Sequence, residues 1–165
     1  MPTSTPLIPA DLAAMMARGV SCIVASRDAA LRPSLMRAVG SDVGANGSHV
    51  TVYVGRGQAR QLVQDIAANG NIAVVFSEPA SHRTVQVKAT RASVRNATAA
   101  DEPVLARYLA SMEHELLRIN IPPVLTRAML AHRVEDLVAI TFSPEQAFDQ
   151  TPGPKAGSAL GATKP

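Results

Sequence analysis

Three short stretches carry cations or amides at positions that could meet an anion. In SLMRAVG, Arg37 interrupts an apolar run. A charge buried without a partner costs several kcal/mol, so Arg37 is either exposed at a strand edge or held by an anion. In GRGQAR, Arg56 and Arg60 flank a glycine turn that leads into a helix. The free N–H groups and dipole at a helix start favour a phosphate. The glycines lack the full GxGxxG spacing and the Lys-Ser/Thr ending of a phosphate loop, so a solvated turn is an equal alternative. In SHRTVQVKAT, Val85, Val87 and Ala89 alternate with Thr84, Gln86, Lys88 and Thr90. That period of two marks a strand packed on one face. Its polar face, led in by His82 and Arg83, meets either water or an anion.

Other chemistries find less support. The histidines are His49, His82, His114 and His132, and none is spaced as a ligand pair, so no metal site is expected. His114, between two glutamates in MEHELL, reads as part of a charged helix surface. No GxSxG occurs, and no residue stands out as a catalytic nucleophile, acid or base. The single cysteine, Cys22, excludes an intramolecular disulfide and sits in the apolar run VSCIVAS, where a thiol behaves as a small hydrophobe.

The chain of 165 residues is long enough for one domain with a real core. Its net charge is +3, with 16 Lys and Arg spread along it, only three of them Lys. The absence of a basic run argues against nucleic acid and allows small anions, and arginine suits bidentate phosphate or carboxylate contacts. There is no apolar stretch of the ~20 residues needed to span a membrane, and the N-terminus has no signal-like pattern, so a soluble, cytoplasmic protein is expected.

The elements that must hold these residues follow from period and punctuation. Residues 1–8 are Pro- and Thr-rich and expected to be loose. PADLAAMMARG reads as a helix with Asp11 helping to cap it, followed by VSCIVAS as a strand. RPSLMRAVGSDV reads as one strand, and Asn46–Gly47 as a hairpin turn into HVTVYV. GRGQARQLVQDIAANG switches to helical period, with Ala59, Leu62, Val63, Ile66 and Ala67 as its stripe. NIAVVFSEP is a strand, and the strand of SHRTVQVKAT is expected to run to about Val94. NATAADEPVLARYLASMEHELLRI is a long helix capped by Thr98 or Asp101, IPPVLTRAMLAHRV holds a short helix, and EDLVAITFSP is a last strand. These connections predict a small α+β barrel of about six largely antiparallel strands over residues 1–150, with a Gly/Pro-rich tail, 151–165, that has no period.

Over residues 10–150 the order of parts resembles the pyridoxamine 5'-phosphate oxidase-like, FMN-binding split-barrel family. The likeness rests on VSCIVASRDAALRP, RAVG, HVTVYVGRGQARQLVQDIAANGNIAVVFSEP, HRTVQVKATRASV and the long helix. It implies an α+β fold with a mainly antiparallel six-stranded split β-barrel and flanking helices. It also implies a homodimer with FMN at the interface, acting as an oxidoreductase that moves hydride or electrons between flavin and a small-molecule substrate. By the same resemblance Arg37 and the turn cluster Arg56, Gln58 and Arg60 would hold the phosphate. The backbone of Ala38 and Val39 would lie along the isoalloxazine ring, and Thr84 and Gln86 would bond the ribityl chain or ring edge. Lys88 would reach the phosphate or a dimer contact. The alternative within this fold is a non-catalytic protein binding flavin, haem or a deazaflavin, with His82, His114 or His132 as a haem ligand. The family's oxidases carry a C-terminal segment with Arg and Trp; this chain has no Trp and ends in QTPGPKAGSAL, where Gln150 and Lys155 are candidates to reach a ligand.

Overall fold

The computed structural model describes residues 6–161. The looseness expected of residues 1–5 lies outside that range. Four helices, α1 (Ala10–Arg18), α2 (Arg60–Asn69), α3 (Glu102–Leu117) and α4 (Pro123–Met129), flank two antiparallel sheets. The strands are β1 (Ser21–Arg27), β2 (Pro33–Arg37), β3 (Gly40–Val43), β4 (Val50–Gly55), β5 (Ile72–Ser77), β6 (Thr84–Ala89), β7 (Ser93–Asn96), β8 (Leu137–Phe142), β9 (Gln146–Asp149) and β10 (Ser158–Leu160). The larger sheet runs β10-β9-β6-β5-β1-β2 and the smaller β3-β4-β8-β7. The α+β, antiparallel class matches the expectation; the strands are more numerous and shorter than the six expected.

One core joins the two sheets. Cys22, Val24, Val74, Phe76, Val85 and Val87 from the large sheet are buried in the same cluster as Val50, Val52, Val54, Val138 and Ile140 from the small one. These are the inward members of alternating strands, as their period requires. Burial pushes the Cys22 thiol up, which keeps it protonated and inert.

Two expected strands are broken where the chain passes between sheets. RPSLMRAVGSDV is two strands, β2 and β3, one in each sheet. At the break the Ala38 N–H donates to Cys22 O (3.0 Å) and the Val39 N–H to Tyr53 O (2.8 Å). The strand from Thr84 ends at Ala89 instead of reaching Val94, and residues 90–92 cross to β7. The tail adds β10, which pairs with β9 at the edge of the large sheet.

Helix ends and faces also sharpen. α1 has no side-chain cap; Asp11 pairs with Arg83 instead. Thr98 and Asp101 form the reciprocal capping box ahead of α3. In α2, Leu62 and Ile66 are buried but Ala67 is exposed. Asp65 is buried in its stead, accepting from Ser34 Oγ (2.6 Å) and Gln61 Nε2 (2.8 Å).

Candidate functional site

The outer face of the large sheet positions the first group. Strand registers set Arg37, Ile23, Val75, Gln86, Phe148 and Ala159 in one row across the six strands. A neighbouring row holds Ser21, Ser77 and Thr84. Arg37 is half-buried and its Nη1 donates to Ser21 Oγ at 2.9 Å. Among the described residues it makes no ion pair with a carboxylate. Thr84 shares a hydrogen bond between Oγ1 and Ser77 Oγ (2.7 Å), and its N–H donates to Thr151 Oγ1 (3.0 Å). Arg37 and Thr84 line a cleft of about 570 Å³ between this end of the sheet and the α3–α4 hairpin, together with His82, Met112, Leu125 and Thr126.

The turn into α2 positions the second group. Arg56, Gly57 and Gln58 line a separate cleft of about 470 Å³ with Val39, His132 and Asp136. The Arg56 N–H donates to Asp136 O (2.8 Å), and its Nη2 donates to Asn96 Oδ1 (2.7 Å), a neutral partner that leaves the charge unanswered. Arg60 is the first residue of α2, exposed, and the preceding Ala59 offers no side-chain cap. Asp136 in the same cleft lies 3.9 Å from Arg133.

The candidate residues thus fall in three places. Arg37 and Thr84 share one cleft; Val39, Arg56 and Gln58 share another, with Arg60 at its helix. Lys88 lines a third hollow of about 400 Å³ with Ala73, Thr90 and Glu145, its Nζ lying 5.0 Å from the centre of the Phe148 ring. Gln86 stands between on the same face and accepts from Gln150 Nε2 at 3.3 Å. Lys155 is exposed. A single chain does not bring Arg37, the α2 turn and Lys88 into one cleft. Ala38 is wholly buried, and the N–H groups of Ala38 and Val39 are both used within the chain, so neither is free for a ring edge.

His114 is exposed on α3, while His132 Nδ1 lies 2.8 Å from Leu130 O. Among the described residues there is no group of three or more potential metal ligands, and no helix is long and apolar enough to cross a membrane. Two features of the first cleft have no local sequence signal: Thr126, and the backbone of His82, which takes φ +60 in the tight turn after β5.

No family model and no curated protein matches the chain. Solved structures do. An F420 reductase aligns over 81% of this chain and 93% of its own at a TM-score of 0.55 and 14% identity. HupZ of Group A Streptococcus aligns over 91% and 99% at 0.54 and 16%. A pyridoxamine 5'-phosphate oxidase-related, FMN-binding protein of Nostoc punctiforme aligns over 93% and 88% at 0.52 and 10%. The chain has the pyridoxamine 5'-phosphate oxidase-like fold. On this chain's version of the pyridoxamine 5'-phosphate oxidase-like fold, the C-terminal segment adds β10 at the edge of the large sheet and carries no Trp.

Proposed function

We propose that this protein is an FMN-binding oxidoreductase that works as a homodimer, its two sheets being the halves of a split barrel. The observation that carries the reading is the α2 turn. Two arginines without carboxylate partners among the described residues flank a helix start that has no side-chain cap. That is a fit for a phosphate dianion: guanidinium forks offer paired donors, and the helix offers free N–H groups and a favourable dipole. Arg56 and Arg60 would hold the phosphate, Gln58 would bond it or the ribityl chain, and Val39 would supply apolar contact on the same side. Bound FMN supplies hydride and electron transfer; the protein supplies position and electrostatics. The remaining candidates, Arg37, Thr84, Gln86 and Lys88, lie on the large sheet's outer face, where a second copy would bring them toward the partner's cofactor. A cytoplasmic setting and a small-molecule substrate belong to the same reading. A deazaflavin is the second reading, supported by the F420 reductase that shares the fold.

Titration of the purified protein with FMN and with riboflavin tests this. FMN fluorescence should change saturably, and Arg60→Ala and Arg56→Ala should each weaken FMN at least ~10-fold while leaving riboflavin, which lacks the phosphate, unaffected. A colourless protein with no saturable response to FMN overturns the proposal, and a Soret band in the purified protein would replace flavin by haem.

A further inference from the structure

His132 stands on the cleft of the α2 turn, and the flavin reading gives it no part. It is exposed in the segment that leads from α4 to β8, and it lines that cleft with Arg56, Gly57, Gln58 and Asp136. Its Nδ1 lies 2.8 Å from Leu130 O. A carbonyl only accepts, so Nδ1 carries the proton. Nε2, at the other edge of the ring, has no hydrogen-bond partner among the described residues. It is a lone pair in the neutral ring and a second N–H donor in the imidazolium. The charged groups that face this ring come from three elements. The α2 turn brings Arg56, whose guanidinium has the neutral Asn96 as its side-chain partner, and Arg60 opens the helix beyond it. The segment ahead of β8 brings Arg133, which lies 3.7 Å from Glu135 and 3.9 Å from Asp136. On its far side the ring lines a second hollow with Glu135 and with Glu102 of α3. Arg133 is thereby answered by carboxylates, and Arg56 is not.

We propose that His132 is a proton-dependent ligand of the phosphate at the α2 turn, holding it as an imidazolium and releasing its hold as a neutral ring. The inference rests on the flavin reading of that turn. Imidazole is the side chain whose charge changes between about pH 5 and pH 8. As imidazolium, His132 adds a cation and a charge-assisted Nε2–H bond to the fork of Arg56. As a neutral ring it turns a lone pair toward the anion and offers no donor. The Nδ1–H bond to Leu130 O is kept in both states, so the ring stays in place while the donor at Nε2 comes and goes. The arginines give the site a fixed affinity for phosphate and His132 a variable one. Retention of a phosphorylated cofactor therefore weakens as pH rises through neutrality.

The test measures FMN and riboflavin binding by flavin fluorescence at pH ~6 and pH ~8, for wild type and for His132→Gln, which keeps a neutral amide donor. The phosphate's own second ionisation, near pH ~6, acts equally on both proteins, so the quantity read is the difference between them. The fall in FMN affinity between the two pH values should be at least ~5-fold larger in wild type than in the variant, and riboflavin should show no such difference. FMN, and not riboflavin, should also move the His132 ring resonances, assigned by their loss in the variant, toward the imidazolium position at neutral pH. FMN that binds both proteins with the same pH dependence overturns the proposal and leaves the flavin reading standing. A pH difference that riboflavin shares overturns it too, because the phosphate is then not the group that His132 holds. FMN that binds neither protein at either pH overturns both readings.

Discussion

Asp101 shows how one side chain can carry both a helix start and a strand pair. It is buried, accepts from Arg95 through both oxygens (2.7 and 2.8 Å), from the Tyr53 hydroxyl (2.9 Å) and from the Thr98 N–H (2.9 Å). The Arg95 bonds, reinforced by those of Thr98 and Tyr53, hold its carboxyl well below the usual carboxylate range. Asp101→Asn should therefore cost about 2 kcal/mol at neutral pH, a figure discounted because Arg95 is half exposed. A depressed carboxylate stabilises fully above its unfolded value and loses that contribution progressively as pH falls from there toward the lower folded value, so wild type should begin to lose this increment below pH ~4 and the variant should not. Urea midpoints measured across that range would check it, and parallel pH profiles would refute it. In the same network, burial and the Asp101 bond push the Tyr53 phenol up to about 12. The sequence pattern revealed Asp101 as a cap; its bonds to β4 and β7 required the folded chain.

At the scale of elements, the end of α2 and the crossing from β6 to β7 lock each other. Gly70 takes φ +72, and a Cβ there would lie 2.5 Å from Thr90 O. The Gly70 carbonyl in turn accepts from the Ala92 N–H at 2.9 Å. Gly70→Ala should cost at least about 2 kcal/mol, from left-handed strain plus a forced backbone shift. Gly57→Ala, whose Cβ would meet nothing within 4 Å, should leave the denaturant midpoint unchanged. Period and punctuation revealed most elements, including the Gly70 stop of α2 and the Asn46–Gly47 hairpin. They did not reveal where β2 becomes β3 or where β6 stops, because alternation reports which face a residue takes and not which sheet holds it. A single glycine, Gly40 at the start of β3, marks the break at Ala38 and Val39, and it reads equally as part of one continuous strand. β10 was hidden for a related reason: its short Ser158–Leu160 pairing is set by β9 and not by any period of its own.

At the scale of the molecule, the large sheet's outer face is half-exposed and apolar at Ile23, Val75 and Phe148, and Leu35 at its edge is 64% exposed. Under the dimer reading a second copy covers this face. Light scattering should give twice the chain mass, and Val75→Lys should give a monomer with unchanged circular dichroism; a monomeric wild type would end the reading. The cation pattern was legible as three separate stretches, but their spacing in three dimensions was not, since it depends on the sheet order β6-β5-β1-β2. One consequence follows from the break at Ala38–Val39. Two successive amides are strapped to different sheets, and the two arginine-bearing clefts lie on either side of them. That joint behaves as a rivet: the sheets cannot slide past one another without shearing adjacent hydrogen bonds, so the separation of the two clefts is a fixed dimension of the chain, and ligands in them would sense each other through a stiff connection rather than through a loop.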